Sequence, residues 1–183
     1  MSRHSLFLRY SVLLLVLAGV VLAAACTGIP KDEEIKSWMQ IVDVETKWVS
    51  KEYRAWPPKL TLVPAISFRV KNVSPKPLTY IYFNAIFKFK DDEENLGDNY
   101  LAGIRGTPVP PGELSPVILM KSNFGVEGKS LASFQNNPMW KQVAVKLFAQ
   151  TQGSSHVLLG TYTCSRTIDF KEPEPAAKPA PKK

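Results

Sequence analysis

The chain has 183 residues, 45% of them hydrophobic, with 23 Lys and Arg against 16 Asp and Glu and a formal charge of +7. That length suits one domain able to bury its own core, and two cysteines exclude a scaffold stapled by several disulfides. The basic residues are spread along the chain rather than clustered, so no nucleic-acid partner is expected.

Arg3 and Arg9 precede an uninterrupted apolar run over residues 12–25. A spanning helix needs roughly 20 apolar residues. The run is shorter, and it fits the apolar core of a cleaved signal peptide covering residues 1–25. Residues 1–25 contain Arg3 and Arg9 and no acid, so of the net charge of +7, residues 26–183 carry +5. An excess of this size suits anionic surfaces such as lipid headgroups or cell-wall polymers.

Small residues crowd the end of the run and allow two cleavages. Ala23, Ala24 and Ala25 satisfy the small-x-small rule of an ordinary signal peptidase. Followed by Cys26, the same residues resemble the lipobox of bacterial lipoproteins. The resemblance covers the first 26 residues, and it departs from the usual pattern in having Ala23 where Leu is commoner, with Leu22 one position early. It implies that the Cys26 thiol is acylated and anchors the protein to a membrane. Thr27 in place of Asp points by the same resemblance to the outer rather than the inner membrane. An ordinary signal followed by a bystander cysteine is the alternative that the residues leave open.

Residues 26–37, "CTGIPKDEEIKS", read as a polar tether, and residues 38–170 as the folded domain. From Trp38 the chain becomes rich in β-branched and aromatic residues, with Val42, Val44 and Trp48 on one alternating face. Lys47, Lys51 and Arg54 among Trp48 and Tyr53 suggest an interface segment. Ile66, Phe68 and Val70 then alternate with Ser67, Arg69 and Lys71, as in a strand with one wet face. In "PLTYIYFNAIFKFK", Ile81, Phe83, Ala85, Phe87 and Phe89 oppose Tyr80, Tyr82, Asn84, Ile86 and Lys88. "DDEENLGDN" reads as a turn, "YLAGIRG" and "LSPVILMKS" as short strands, and "KSLASF" as one helical turn. "KQVAVKLFAQ" and "HVLLGTYTCSRTIDF" complete about seven strands. With Gly, Pro, Asn and Asp clusters between them, the expected fold is an all-β sandwich. The tail, residues 171–183, alternates Pro with charge and reads as disordered, polyproline-like chain.

The stretch from "ISFRVKNVS" through the aromatic strand to "PPGELSPVIL" resembles the small immunoglobulin-like extracytoplasmic modules of bacteria of the FxLYD kind. Residues 71–74 stand where those modules have a polar turn, and Pro111, Gly112 and Glu113 where they have a Pro-Gly turn. "FKFKDDEEN" departs from their Tyr-Asp stretch. The resemblance covers about a third of the chain after the leader. It implies an immunoglobulin-like sandwich that takes part in extracytoplasmic assemblies, with no active site.

Chemistry is sparse. His156 is the one histidine after the leader, which excludes a multi-histidine metal site. His156 and Cys164 lie eight residues apart on one strand, too far for a thiol–imidazole pair, and Cys164 reads as a small buried hydrophobe. No phosphate loop, nucleophile elbow or zinc-protease helix occurs. No catalytic residue and no cofactor are expected. Asp91, Asp92, Glu93, Glu94 and Asp98 form the one carboxylate cluster. They are a weak calcium candidate without EF-hand spacing, against the plainer reading of a solvated turn. Trp56 and Trp140, beside prolines in "RAWPPK" and "NNPMWK", and Tyr80 and Tyr82 on the more polar strand face are the candidate binding residues. These features sum to an expectation of a lipid-anchored, non-enzymatic binding or assembly subunit of the cell envelope with a protein partner. The alternative is a carbohydrate- or peptidoglycan-binding lipoprotein that uses exposed aromatics.

Overall fold

The computed structural model describes residues 30–90, 92 and 94–173. The leader, Cys26, Asp91, Glu93 and tail residues 174–183 lie outside the described residues.

The described chain opens with helix α1 (Asp32–Trp38), followed by the long hairpin β1 (Met39–Arg54) and β2 (Lys59–Asn72). Strands β3 (Ile81–Phe89), β4 (Asn95–Ile104), β5 (Ile118–Lys121) and β6 (Val126–Gly128) come next. The one-turn helix α2 (Ala132–Gln135) precedes β7 (Val143–Gln150), β8 (Val157–Thr163) and β9 (Ile168–Asp169). One sheet has the order β5-β2-β1-β9, with β6 also paired to β2, and the other has the order β4-β3-β7-β8. All pairings are antiparallel except the short β1–β9 contact. The fold is an all-β sandwich.

Period-two patterning builds the interface between the sheets. Leu60, Leu62, Ile66, Phe68 and Val70 of β2 are buried. They meet Ile81, Phe83, Ala85, Phe87 and Phe89 of β3 in a single core. Phe68 and Phe83 touch edge to face across the sheets, with ring centroids 5.2 Å apart. That quadrupole-favoured geometry adds to the area they bury. The alternation read from the sequence for these two strands is the one observed.

Strand β1 departs from the expected phase. Its pairing with β2 slips between Val42 and Glu45, where Asp43 takes a φ of 52°. One extra residue in a bulge moves every following side chain to the other face. Met39 and Ile41 therefore face the core before the bulge, and Val44 and Trp48 after it, while Val42 shares the outer face with Arg69. Trp48 is fully buried and Tyr53 packs on Phe170 at 5.4 Å, so these two aromatics of the segment contribute to the core.

Three further expectations change. The segment read as a tether contains α1, and Ile35 is buried in the main core, so the folded unit begins before Trp38. Strand β4 starts at Asn95, inside the stretch read as a turn. Among the described residues there are nine strands instead of about seven, the additions being the three-residue β6 and two-residue β9. Segments that short carry no measurable alternation.

Candidate functional site

Asn72, the last residue of β2, is fully buried and organises the loop that follows. Its Nδ2 donates to the carbonyls of Lys76 and Val109, both at 2.8 Å. Its Oδ1 accepts from the Ser74 amide at 2.9 Å and the Ser74 hydroxyl at 2.8 Å. A single amide thus satisfies loop groups that no strand reaches, and residues 74–77 become a fixed wall. Leu78 then pairs both ways with Val109, and Tyr80 turns the chain into β3 with a φ of 54°. A bulky non-glycine residue in that region is held there by its surroundings.

That wall faces α1 and the β7–β8 turn across a cleft of about 470 Å³. Trp38 and Glu34 come from α1, and Thr151 and Gln152 from the turn. Pro75, Lys76, Pro77 and Tyr80 complete the rim, with Leu78 buried at its base. The helix is pinned in place because the Trp38 carbonyl accepts from the Val73 amide at 2.9 Å and Asp32 accepts from the Ser155 hydroxyl at 2.6 Å. Asp32, Glu33 and Glu34 in its first turn suit the positive end of its dipole.

One residue lining the cleft carries an unpaired polar atom, one of four buried among the described residues. The Thr151 backbone is satisfied by Ser154, but its hydroxyl is buried without a hydrogen-bond partner among the described residues. Leaving such a group unpaired costs about 1–3 kcal/mol. Volume, aromatic and proline walls and a few convergent polar groups match a small-molecule site.

A separate aromatic pair lies on the outer face of the second sheet. Tyr82 pairs with Gln150 across β3 and β7, one residue before Thr151. Tyr82 and Tyr100 stack with ring centroids 5.7 Å apart and planes 5° from parallel. The Tyr100 hydroxyl donates to Gln150 Oε1 at 3.0 Å, and His156 meets the Tyr100 ring edge-on at 6.1 Å. Tyr80 is 54% and Tyr100 51% exposed, so both offer a ring face to solvent.

The remaining sequence candidates fall elsewhere. Trp56 is 87% exposed in the β1–β2 turn, at the far end of the hairpin from α1. Trp140 is a correction to the exposure expected beside its proline. It packs edge-on against Trp48 at 6.2 Å and Phe134 at 6.1 Å, under the Arg166 guanidinium. Asp98 stands on β4, where its carboxylate accepts from Asn123 at 2.8 Å, and Asp92 caps the Glu94 amide at 3.2 Å. Asp98 is thereby drawn away from the acidic turn, and no metal-holding cluster occurs among the described residues. Cys164 is buried at the end of β8 beneath the Lys47 carbonyl, and burial pushes its thiol up to about 11. His156 lies at the other end of β8 against Tyr100.

Sequence reading named Tyr80 and Tyr82 but missed Trp38, Glu34, Thr151 and Gln152. Only the fold brings those four beside Tyr80, and the one local signal was the polar "KNVS" turn that Asn72 anchors. No protein-family model matches this chain, and no curated protein matches it.

Proposed function

We propose that this chain is a lipid-anchored, non-enzymatic binding protein of the bacterial envelope, and that its cleft holds a carbohydrate such as a peptidoglycan glycan. The observation that carries the reading is the cleft itself, with exposed Tyr80 and partly buried Trp38 beside the unpartnered Thr151 hydroxyl. A pyranose ring has one apolar C–H face and an equatorial belt of hydroxyls. The first suits an aromatic ring, and the second suits Thr151, Gln152, Glu34 and Lys76. Acylation of Cys26 would hold the cleft close to the outer membrane, within reach of the wall. The likeness to FxLYD modules agrees with an immunoglobulin-like sandwich working outside the cytoplasm.

Cosedimentation with purified peptidoglycan tests the reading. Wild type is expected in the pellet, and Tyr80→Ala and Thr151→Val in the supernatant. Thr151→Val is the sharper variant because it removes an unsatisfied hydroxyl and leaves the fold as stable as before or more so. Equal sedimentation of all three proteins defeats the carbohydrate reading.

A second reading, an assembly subunit that captures a protein partner, is favoured by Trp56. An indole so exposed at a hairpin tip is an interface anchor in search of a pocket. Loss of a co-purifying envelope protein on Trp56→Ala, with peptidoglycan binding intact, would support that role.

A further inference from the structure

The outer face of the first sheet has a composition that the cleft does not explain. Residues in register share a face, so Lys71 points outward with Leu114, and Leu119 and Lys121 point outward beside Ser67 and Ala65. Arg69 lies between them, alternating with the core residues Phe68 and Val70. Lys51, Arg69, Lys71 and Lys121 have no ion-pair partner among the described residues. Acids stand on this face as well: Glu52 and Glu127 pair with Arg54 and Lys59 in the hollow that Lys51 and Phe124 also line, and Asp169 pairs with Lys47. Glu45 stands opposite Ser67, Asp43 lies in the bulge beside the Val42–Arg69 pair, and Asp98 holds the side chain of Asn123, whose backbone carbonyl accepts from Lys51. This leaves Arg69, Lys71, Lys121 and Leu119 as the basic and apolar part of the face.

Between those cations sit large apolar side chains with no cover. Leu119 is 44% and Phe124 64% exposed, and the Lys51 ammonium lies 5.9 Å above the Phe124 ring. Cations beside uncovered leucine and phenylalanine complement a surface whose phosphates stand just above hydrocarbon.

We infer that this face docks on an anionic phospholipid surface. The opposite face, with Tyr82 and Tyr100, then points away from the membrane. The inference rests neither on the ligand of the cleft nor on acylation of Cys26.

The test uses the chain from residue 26 onward with Cys26→Ser, which bears no acyl group and contains the whole core. Cosedimentation compares vesicles of phosphatidylcholine alone with vesicles that also contain phosphatidylglycerol. Binding is expected only to the mixed vesicles, and it weakens as salt rises. Lys71→Glu with Lys121→Glu should lower partitioning at least about twentyfold, given the usual worth of a surface cation at an anionic bilayer. Both side chains are exposed and make no hydrogen bond among the described residues, so the variant folds as wild type by circular dichroism. Phe124→Ala should weaken binding severalfold with the salt slope unchanged. The control is Lys88→Glu with Lys146→Glu, the same charge change on the outer face of the second sheet. An equal loss in the control pair, equal binding to phosphatidylcholine alone, absence of binding, or displacement by inorganic phosphate at constant ionic strength would each overturn the inference.

Discussion

Asn72 shows how much one side chain can do at the end of a strand. Its four hydrogen bonds replace a ladder that stops at β2, and they fix the wall against which Tyr80 stands. Asn72→Ala removes all four bonds and leaves the buried Ser74 amide without an acceptor, while the Lys76 and Val109 carbonyls keep the Ser74 hydroxyl and the Leu78 amide, so a loss of about 1–3 kcal/mol is expected by urea denaturation. Cys164 sets a pH limit. Its folded thiol titrates near 11 against an ordinary value of 9.0, so the unfolded chain loses the proton first as pH rises. The stabilising contribution is complete below pH 9, falls between 9 and 11, and amounts to about 2–3 kcal/mol. Stability measured across that window should decline more steeply for wild type than for Cys164→Ala. Parallel curves would mean that the thiol is not shielded as its surroundings require.

At the scale of elements, the alternating cores of β2 and β3 tie the sheets together. Phe68→Ala or Phe83→Ala should each cost about 3–5 kcal/mol, because either empties an aromatic site in the inter-sheet contact. A second prediction concerns the loop between β5 and β6. A Cβ at Gly125 would collide with the Leu62 carbonyl, which is backbone and cannot give way. Gly125→Ala should therefore destabilise by more than about 2 kcal/mol, and an unchanged melting temperature would show that the loop does not lie on β2 as described. The same elements show what a sequence can reveal. β2 and β3 were legible because one face is wholly apolar over many residues. The phase of β1 was not, since Asp43 gives no local sign of a bulge and aspartate tolerates its backbone angles. Helix α1 was hidden because its seven charge-rich residues bury a single side chain, Ile35. Trp140 sits in a sequence that reads as an exposed turn, and only the fold brings Trp48 and Phe134 beneath it.

The whole molecule combines these pieces into a direction. The cleft and the Tyr82–Tyr100 stack occupy α1, the β3 start and the outer face of one sheet, while the uncompensated cations occupy the outer face of the other. In the proposed account the basic face and the Cys26 acyl group lie toward the membrane, and the aromatic cleft looks toward the wall. The anchor is separately testable. Mass spectrometry of the natural N-terminus should find an acylated Cys26, and Cys26→Ser should release the protein from membranes at high salt. An unmodified cysteine or an intact leader contradicts the anchor and leaves the cleft untouched.

Carbohydrate recognition in the cleft is the central claim, and its most direct measurement is a nuclear magnetic resonance titration with a soluble N-acetylglucosamine oligosaccharide. The predicted outcome is saturable shift changes at Trp38, Tyr80, Thr151 and Gln152, which disappear in Thr151→Val. Shift changes confined to the Trp56 turn, or none at all, would contradict it.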